Sequence, residues 1–187
     1  GQPGLYSSFE EDDVRRNSCL IGEQISMITG SVVLMDNGNP LIYTEEIQNF
    51  TEAAQNEGVR LMKYEVKSDE VWERDHDWVL MRYSEILLMK AECLIRLGTP
   101  ALARPMIAAV RERAGLETPA TVDLELLDQE LLHEFVFEGH RRTDNIRMGD
   151  FFEPWWEKGE TPAFRGIYPV PQSELDKNSN LVQNPGY

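Results

Sequence analysis

Apolar positions recur at helical spacing in three stretches of this chain. The clearest is 81–97 (MRYSEILLMKAECLIRL), where Tyr83, Leu87, Ala91, Leu94 and Ile95 share one stripe and Ile86, Leu88 and Met89 widen it. So broad an apolar surface predicts cover on more than one side. Gly98 ends this helix, and Thr99-Pro100 restarts the chain as a second, with Thr99 as N-cap and Pro100 in the first turn. The second helix is expected to run to about Ala114, bent by Pro105 and stopped by Gly115. A third opens at the Asp123 cap and carries Leu124, Leu127, Leu131, Phe135 and Phe137. It leads into ELLHEFVFEGHRRTDNIRMG (130–149), which reads as one long amphipathic helix interrupted or re-aimed at Gly139.

The remaining pattern is weaker. Gly30 to Asp36 predicts a strand, Asn37-Gly38 a hairpin turn, and Pro40 to Tyr43 the return arm. Thr44 is a candidate cap for a further helix carrying Ile47, Phe50 and Ala54 and closed by Gly58; residues 59–66 read as extended. A polar loop at 67–77 holds Trp72. Beyond 149, Phe151-Phe152 and Trp155-Trp156 are broken by Pro154, IYPVP (167–171) is extended, 173–176 makes a turn of helix, and 178–187 is a polar tail. The fold class is therefore mainly α, with helix pairs, loops and a minor β-hairpin, in a single domain over 1–187. The first two helices with their glycine stop fill about 34 residues, the size of a tetratricopeptide unit. Such units need neighbours to bury their faces.

Charge narrows the function. The formal net charge of −15 argues against nucleic acid and against adsorption on anionic lipid. No apolar run approaches the ~18–20 residues of a membrane span. Cys19 and Cys93 show neither metal spacing nor a redox motif, and Cys93, within a helical apolar run, reads as a buried thiol. Glu10 to Asp13 followed by Arg15-Arg16 reads as a solvated surface, with calcium at Asp12 or Asp13 as the sharper alternative.

Glu130, Glu134 and Glu138 recur every four residues and so line one helix face, where like charges repel by about 0.2–0.5 kcal/mol per pair. Arginines follow at once. Glu134, Glu138, Arg141, Asp144 and Arg147 are the expected members of a structural ion network. The rival is a glycosidase acid pair drawn from Glu130, Glu134, Glu138 and Asp144, although side chains on one helix face flank no cleft, and nearby arginines keep carboxylates ionised. His133 and His140 lie two turns apart, about 10 Å along a helix, too far for one metal ion; no metal or cofactor is expected. Rings outside the apolar stripes are the candidate ligand platforms: Trp72, Tyr6, Tyr43 and Trp155. Trp78, which leads into the first long helix, and the Trp155-Trp156 pair also have a core-packing reading.

Four stretches in this order resemble the C-terminal half of the SusD/RagB family: RYSEILLMKAECLIRLG (82–98), EF-x-x-EGHR-x-x-D-x-x-R-x-G (134–149), IYPVPQSEL (167–175) and NSNLVQNPGY (178–187). DDVRRNS (12–18) and RLMKY (60–64) resemble further family segments. The pattern departs at Glu130-Leu131, Asp144-Asn145 and Arg147-Met148-Gly149. The resemblance implies a C-terminal portion of a longer surface lipoprotein with a helical, tetratricopeptide-like fold, and binding rather than catalysis. It implies a glycan or oligosaccharide ligand passed to a SusC-like TonB-dependent transporter. The implied location is the extracellular face of the outer membrane, held by a lipid at a cysteine that is neither Cys19 nor Cys93. The rivals are a glycoside hydrolase or accessory enzyme and a tetratricopeptide-type scaffold binding a peptide.

Overall fold

The chain enters through one turn of helix, α1 (Leu5–Ser8), and a 3-10 turn at Val14–Ser18. Four two-residue strands follow: β1 (Cys19–Leu20), β2 (Gly22–Glu23), β3 (Ile42–Tyr43) and β4 (Arg60–Leu61). β1 pairs antiparallel with β4, and β2 with β3. The computed structural model describes residues 3–64 and 77–187. They fall into two units, Gly1–His140 and Arg141–Tyr187.

The predicted hairpin exists in reduced form. Isolated bridges join Ile25 to Val32 and Leu34 to Pro40, and the turn forms at Asn37-Gly38, where the Gly38 amide donates to the Met35 carbonyl at 2.9 Å. The helix expected after Thr44 is absent. Polar side chains compete for its backbone: Asn49 Oδ1 accepts from the Thr51 amide at 2.9 Å, and Glu57 Oε2 from the Ala54 amide at 3.3 Å. The segment returns so that Thr44 bridges Glu57, and Phe50 is exposed, so no apolar face rewards a helix there.

The long helices lie where the pattern puts them: α2 (Tyr83–Arg96), α3 (Pro100–Arg113) and α4 (Leu124–Phe135). Both α2 and α3 stop in the same way. Gly98 and Gly115 take left-handed φ of 77° and 85°. The next amide reaches back to close the last turn, Thr99 to the Leu94 carbonyl and Leu116 to the Arg111 carbonyl, each at 2.9 Å. Thr99 makes no side-chain cap; its hydroxyl donates to the Leu94 carbonyl instead. Asp123 does cap α4, accepting from the Leu126 amide at 2.9 Å.

α2 packs on α3 and α4. The core holds Leu88 and Ala91 from α2, Ala103, Ile107 and Val110 from α3, and Leu127, Leu131 and Phe135 from α4. Against expectation, Glu85 and Glu92 share the buried face of α2, while Tyr83 is 75% exposed. Glu92 is neutralised one turn on by Arg96 at 2.9 Å. Cys93 is exposed, not buried, because it lies on the side of α2 away from Leu88 and Ala91. Trp78 is also exposed rather than in the core. A second cluster, Phe9, Cys19, Val59 and Val136, seats the entry segment, with Tyr6 packed beside it.

The second unit contains α5 (Arg141–Met148), 3-10 turns at Asp150–Phe152 and Ala163–Gly166, and α6 (Gln172–Lys177). The predicted helix over 130–149 is thus two helices. Among the described residues, no helix is long and apolar enough to cross a membrane.

Candidate functional site

α4 delivers Glu130 and Glu134 into the first unit, each only 1% exposed. The helix then stops. Phe137 takes a left-handed φ of 68°, and the Glu138 amide donates to the Phe135 carbonyl at 3.0 Å. This turn, rather than a continued helix, places Glu138.

The cations that meet these acids come from four other segments. Arg15 donates to Asp13 at 2.7 Å, to Glu130 at 2.5 Å and to Glu134 at 3.1 Å. Arg82, just ahead of α2, donates to Glu134 at 2.5 Å and through Nε and Nη2 to both Glu138 oxygens at 2.9 Å. Arg113 reaches Glu134 at 2.5 Å, and Arg111 reaches Glu130 at 3.2 Å. Lys63 pairs with Glu138 and donates to the Glu134 carbonyl at 2.5 Å. Opposite charges therefore alternate through the network, and each buried acid has more than one donor or a paired contact to one.

Burial alone would raise the carboxylate pKa values, but the donors reverse this. Arg15 holds Asp13 below its ordinary range; Arg82, Arg113 and Arg15 do so for Glu134, and Arg82 and Lys63 for Glu138. Burial lowers the Lys63 pKa, and Glu138 offsets this only in part. Burial, with Arg15 nearby, pushes His133 down to about 4. His133 stacks on Phe9 with ring centroids 4.2 Å apart, and its Nε2 lies 3.0 Å from Ser8 Oγ. Because that hydroxyl donates to the Leu5 carbonyl, the neutral ring places its proton on Nε2 and donates it to Ser8.

Beside the clasp lies a cavity of about 320 Å³, lined by Arg15, Lys63, Tyr64, Arg82, Arg113, Glu134 and Glu138 among others. Its acids are ionised and already bonded. It offers no protonated carboxyl near neutral pH and no unpaired carboxylate to act as a base, so it lacks the acid–base asymmetry that glycoside hydrolysis requires.

Of the expected ion network, Glu134 and Glu138 sit in this clasp. Arg141, Asp144 and Arg147 belong to α5 in the second unit, where Arg147 donates to the buried Asp144 at 2.9 Å. Asp13 is buried and held by Arg15, so the acidic run is not wholly a solvated surface. Arg15, Lys63, Arg82, Arg111 and Arg113 are absent from the sequence-based site residues, and Asp13, a sequence candidate for calcium, enters the clasp paired to Arg15. The available signal was an acid row too buried to stand without cations.

The candidate platforms are scattered through the chain. Tyr6 is half-buried, with the Arg16 guanidinium 4.0 Å from its ring centre. Tyr43 faces Arg60 at 4.9 Å. Trp155 is 52% exposed at a bridge to Lys158. Trp72 lies outside the described residues. Among the described residues, no group of three or more His, Cys, Asp or Glu is placed to hold a metal ion.

The helix pair, the clasp and the EGHR turn are now fixed in space, and a model of the SusD family matches residues 4–166. The chain belongs to the SusD family. The starch-binding protein SusD of Bacteroides thetaiotaomicron is 31% identical to it over 167 residues, which make up 80% of this chain and 29% of that protein. A laminarin-binding SusD-like protein is 35% identical, with a TM-score of 0.51, over 58% of this chain and 23% of the other. Surface glycan-binding protein A from Bacteroides uniformis covers 96% of this chain and 39% of its own, with a TM-score of 0.69 at 24% identity, a likeness of fold. This SusD-family chain therefore spans less than a third of its curated relative.

Proposed function

We propose that this chain is part of a cell-surface glycan-binding protein that captures an oligosaccharide without cleaving it. The observation that carries this reading is the family match over residues 4–166, beside relatives whose names describe binding to starch and laminarin. The state of the clasp supports binding over hydrolysis, because its buried carboxylates are committed to arginine and lysine. In this reading the clasp is scaffold and aromatic rings meet the sugar, Trp155 and Trp72 foremost. Delivery of the captured glycan to a TonB-dependent transporter, and a lipid anchor on the outer face of the outer membrane, complete the proposal.

The test is a panel of soluble polysaccharides, read by affinity electrophoresis and calorimetry, with wild type, Trp72→Ala and Trp155→Ala. At least one polysaccharide should bind without loss of chain length, and a platform substitution should weaken that binding at least severalfold while the protein stays folded. Turnover of a bound glycan, abolished by Glu134→Gln, would overturn the reading in favour of an enzyme. Binding of an extended peptide with no glycan affinity would favour a helical-repeat scaffold.

A further inference from the structure

In the clasp the acceptors are nearly used up and the donors are not. A carboxylate accepts about four hydrogen bonds, two at each oxygen. Glu134 has its full set: Oε1 accepts from Arg82 and Arg113, and Oε2 from Arg15 and Arg113. Glu138 accepts from Arg82 at both oxygens and from Lys63 at one. On the donor side, Arg113 spends only Nη2 on Glu134, and no bond among the described residues engages its Nε or Nη1. Lys63 bonds to Glu138 and to the Glu134 carbonyl, which leaves a third N–H of its ammonium unused. Charge runs the same way. Arg15 is matched by Asp13 and Glu130, neither of which lines the cavity. Lys63, Arg82 and Arg113 then face Glu134 and Glu138, which leaves the cavity wall one negative charge short.

We propose that the cavity beside the clasp binds a small monocarboxylic acid, whose carboxylate accepts from the unused N–H groups of Arg113 and Lys63. Both residues line the cavity, and both are held against Glu134, so their charged ends are in place before a ligand arrives. Donors ordered in advance lose little freedom on binding. The Arg113 side chain is 60% exposed, which opens this end of the cavity to solvent. A deficit of one charge suits a monoanion better than a phosphate dianion, whose second charge would face Glu134 and Glu138 unpaired. The rest of the wall selects the body of the ligand. Val14, Val79 and Val136 are apolar, and Tyr64 adds a ring. The volume, about 320 Å³, lies at the low end of the roughly 300–1,000 Å³ of small-molecule sites and suits a single ring. An acidic sugar unit and a free ring acid share this chemistry. The inference stands apart from the aromatic platforms and does not depend on which glycan they meet.

The test is calorimetric titration of the 187-residue chain at fixed ionic strength with two acids and their neutral counterparts: glucuronate against glucose, and benzoate against benzamide. At least one acid should bind at one site per chain, about tenfold or more tighter than its neutral counterpart. Arg113→Gln should weaken that binding about tenfold or more, and Arg113→Lys, which keeps the charge, should restore part of it. Lys90→Gln removes an exposed cation outside the cavity and should change nothing. Val14→Phe keeps every charge and fills the cavity from a side chain that is 53% exposed, a place where added bulk is tolerated. It too should weaken binding about tenfold, and it carries the test if Arg113→Gln does not fold. Preference for glucuronate assigns the site to an acidic sugar unit, and preference for benzoate to a free ring acid. Equal affinity for acid and neutral counterpart, no binding of either acid up to about 10 mM, which is weaker than about −2.7 kcal/mol, or full affinity in folded Arg113→Gln or Val14→Phe overturns the proposal.

Discussion

The two units are held together by different means. In Gly1–His140, three helices bury apolar side chains together with acids, and Glu134 at the centre of the buried charge is neutralised by arginines from three other segments of the chain. In Arg141–Tyr187, side chains are tied largely to backbone and to rings. The Arg142 guanidinium lies 5.1 Å from the Phe151 ring centre and 4.1 Å from that of Tyr168, and it donates to the Arg165 carbonyl at 2.9 Å. The Tyr187 hydroxyl donates to the Ile167 carbonyl at 2.8 Å, and its ring meets Phe164 edge-on at 5.0 Å. The contrast teaches where each unit is fragile. Removing Glu134 from the first breaks three ion pairs at once and leaves Arg15 with little access to water, whereas each tie in the second joins single groups at partly exposed places.

The strongest way to break that comparison is Glu134→Ala set against Asp144→Ala. Glu134 is the meeting point of Arg15, Arg82 and Arg113. Its loss should cost about 3–5 kcal/mol, because the guanidiniums that remain include one, on Arg15, with little access to water. Asp144 pairs with a half-exposed Arg147 that can turn to solvent, so its loss should cost about 1–2 kcal/mol. Urea denaturation measures both. Equal costs would mean that the clasp is no more than a set of local pairs.

Acid should separate the units next. The folded state holds His133 at about 4 against an ordinary value of 6.5. Between those values the unfolded chain binds more protons, so the contribution of neutral His133 is full above about pH 6.5 and is lost as pH falls towards 4. The loss is of order 3 kcal/mol. Asp13, Glu134 and Glu138, whose pKa values are lowered in the fold, add to it only once pH falls below the ordinary carboxylate range. Residues 141–187 contain no histidine. Amide exchange across pH 4.5–6.5 should therefore show α2 to α4 opening more readily while α5 and α6 hold steady. In His133→Gln the slope in the first unit should flatten.

The same contrast explains what could be read from sequence. α2, α3 and α4 were legible because a 3.6-residue period, two glycine stops and the Asp123 cap are local signals. The long helix over 130–149 was half legible. Gly139 marked the break, but the left-handed Phe137 carries no sequence cue. The acid row at Glu130 and Glu134 was visible, yet its cations were sought next door at Arg141 and Arg147. Arg113, Arg82 and Arg15 lie 21, 52 and 119 residues from Glu134. No periodicity encodes such a partner; only the folded backbone brings it near. The helix expected after Thr44 failed for the opposite reason, since a good local cap had no apolar face to bury.

The smallest effect is also the most local. The Gln183 side chain stands in for a strand: its Oε1 accepts from the Val170 amide at 2.8 Å, and its Nε2 donates to the Val170 carbonyl at 2.9 Å. Asn184 adds a bond to the Tyr168 carbonyl at 2.7 Å, so the tail is fastened to the 167–171 segment by amide side chains rather than by a ladder. Gln183→Ala removes both Val170 bonds and leaves two backbone groups that water can reach, because Val170 is only half-buried. The expected cost is about 1–2 kcal/mol, confined to the second unit, with the Val170 amide exchanging about tenfold or more faster and the amides of α2, α3 and α4 unchanged. If the helical amides lose protection to the same degree, the two units unfold as one and the tail is part of the first unit's stability. If Val170 alone responds, each unit keeps its own means of holding together.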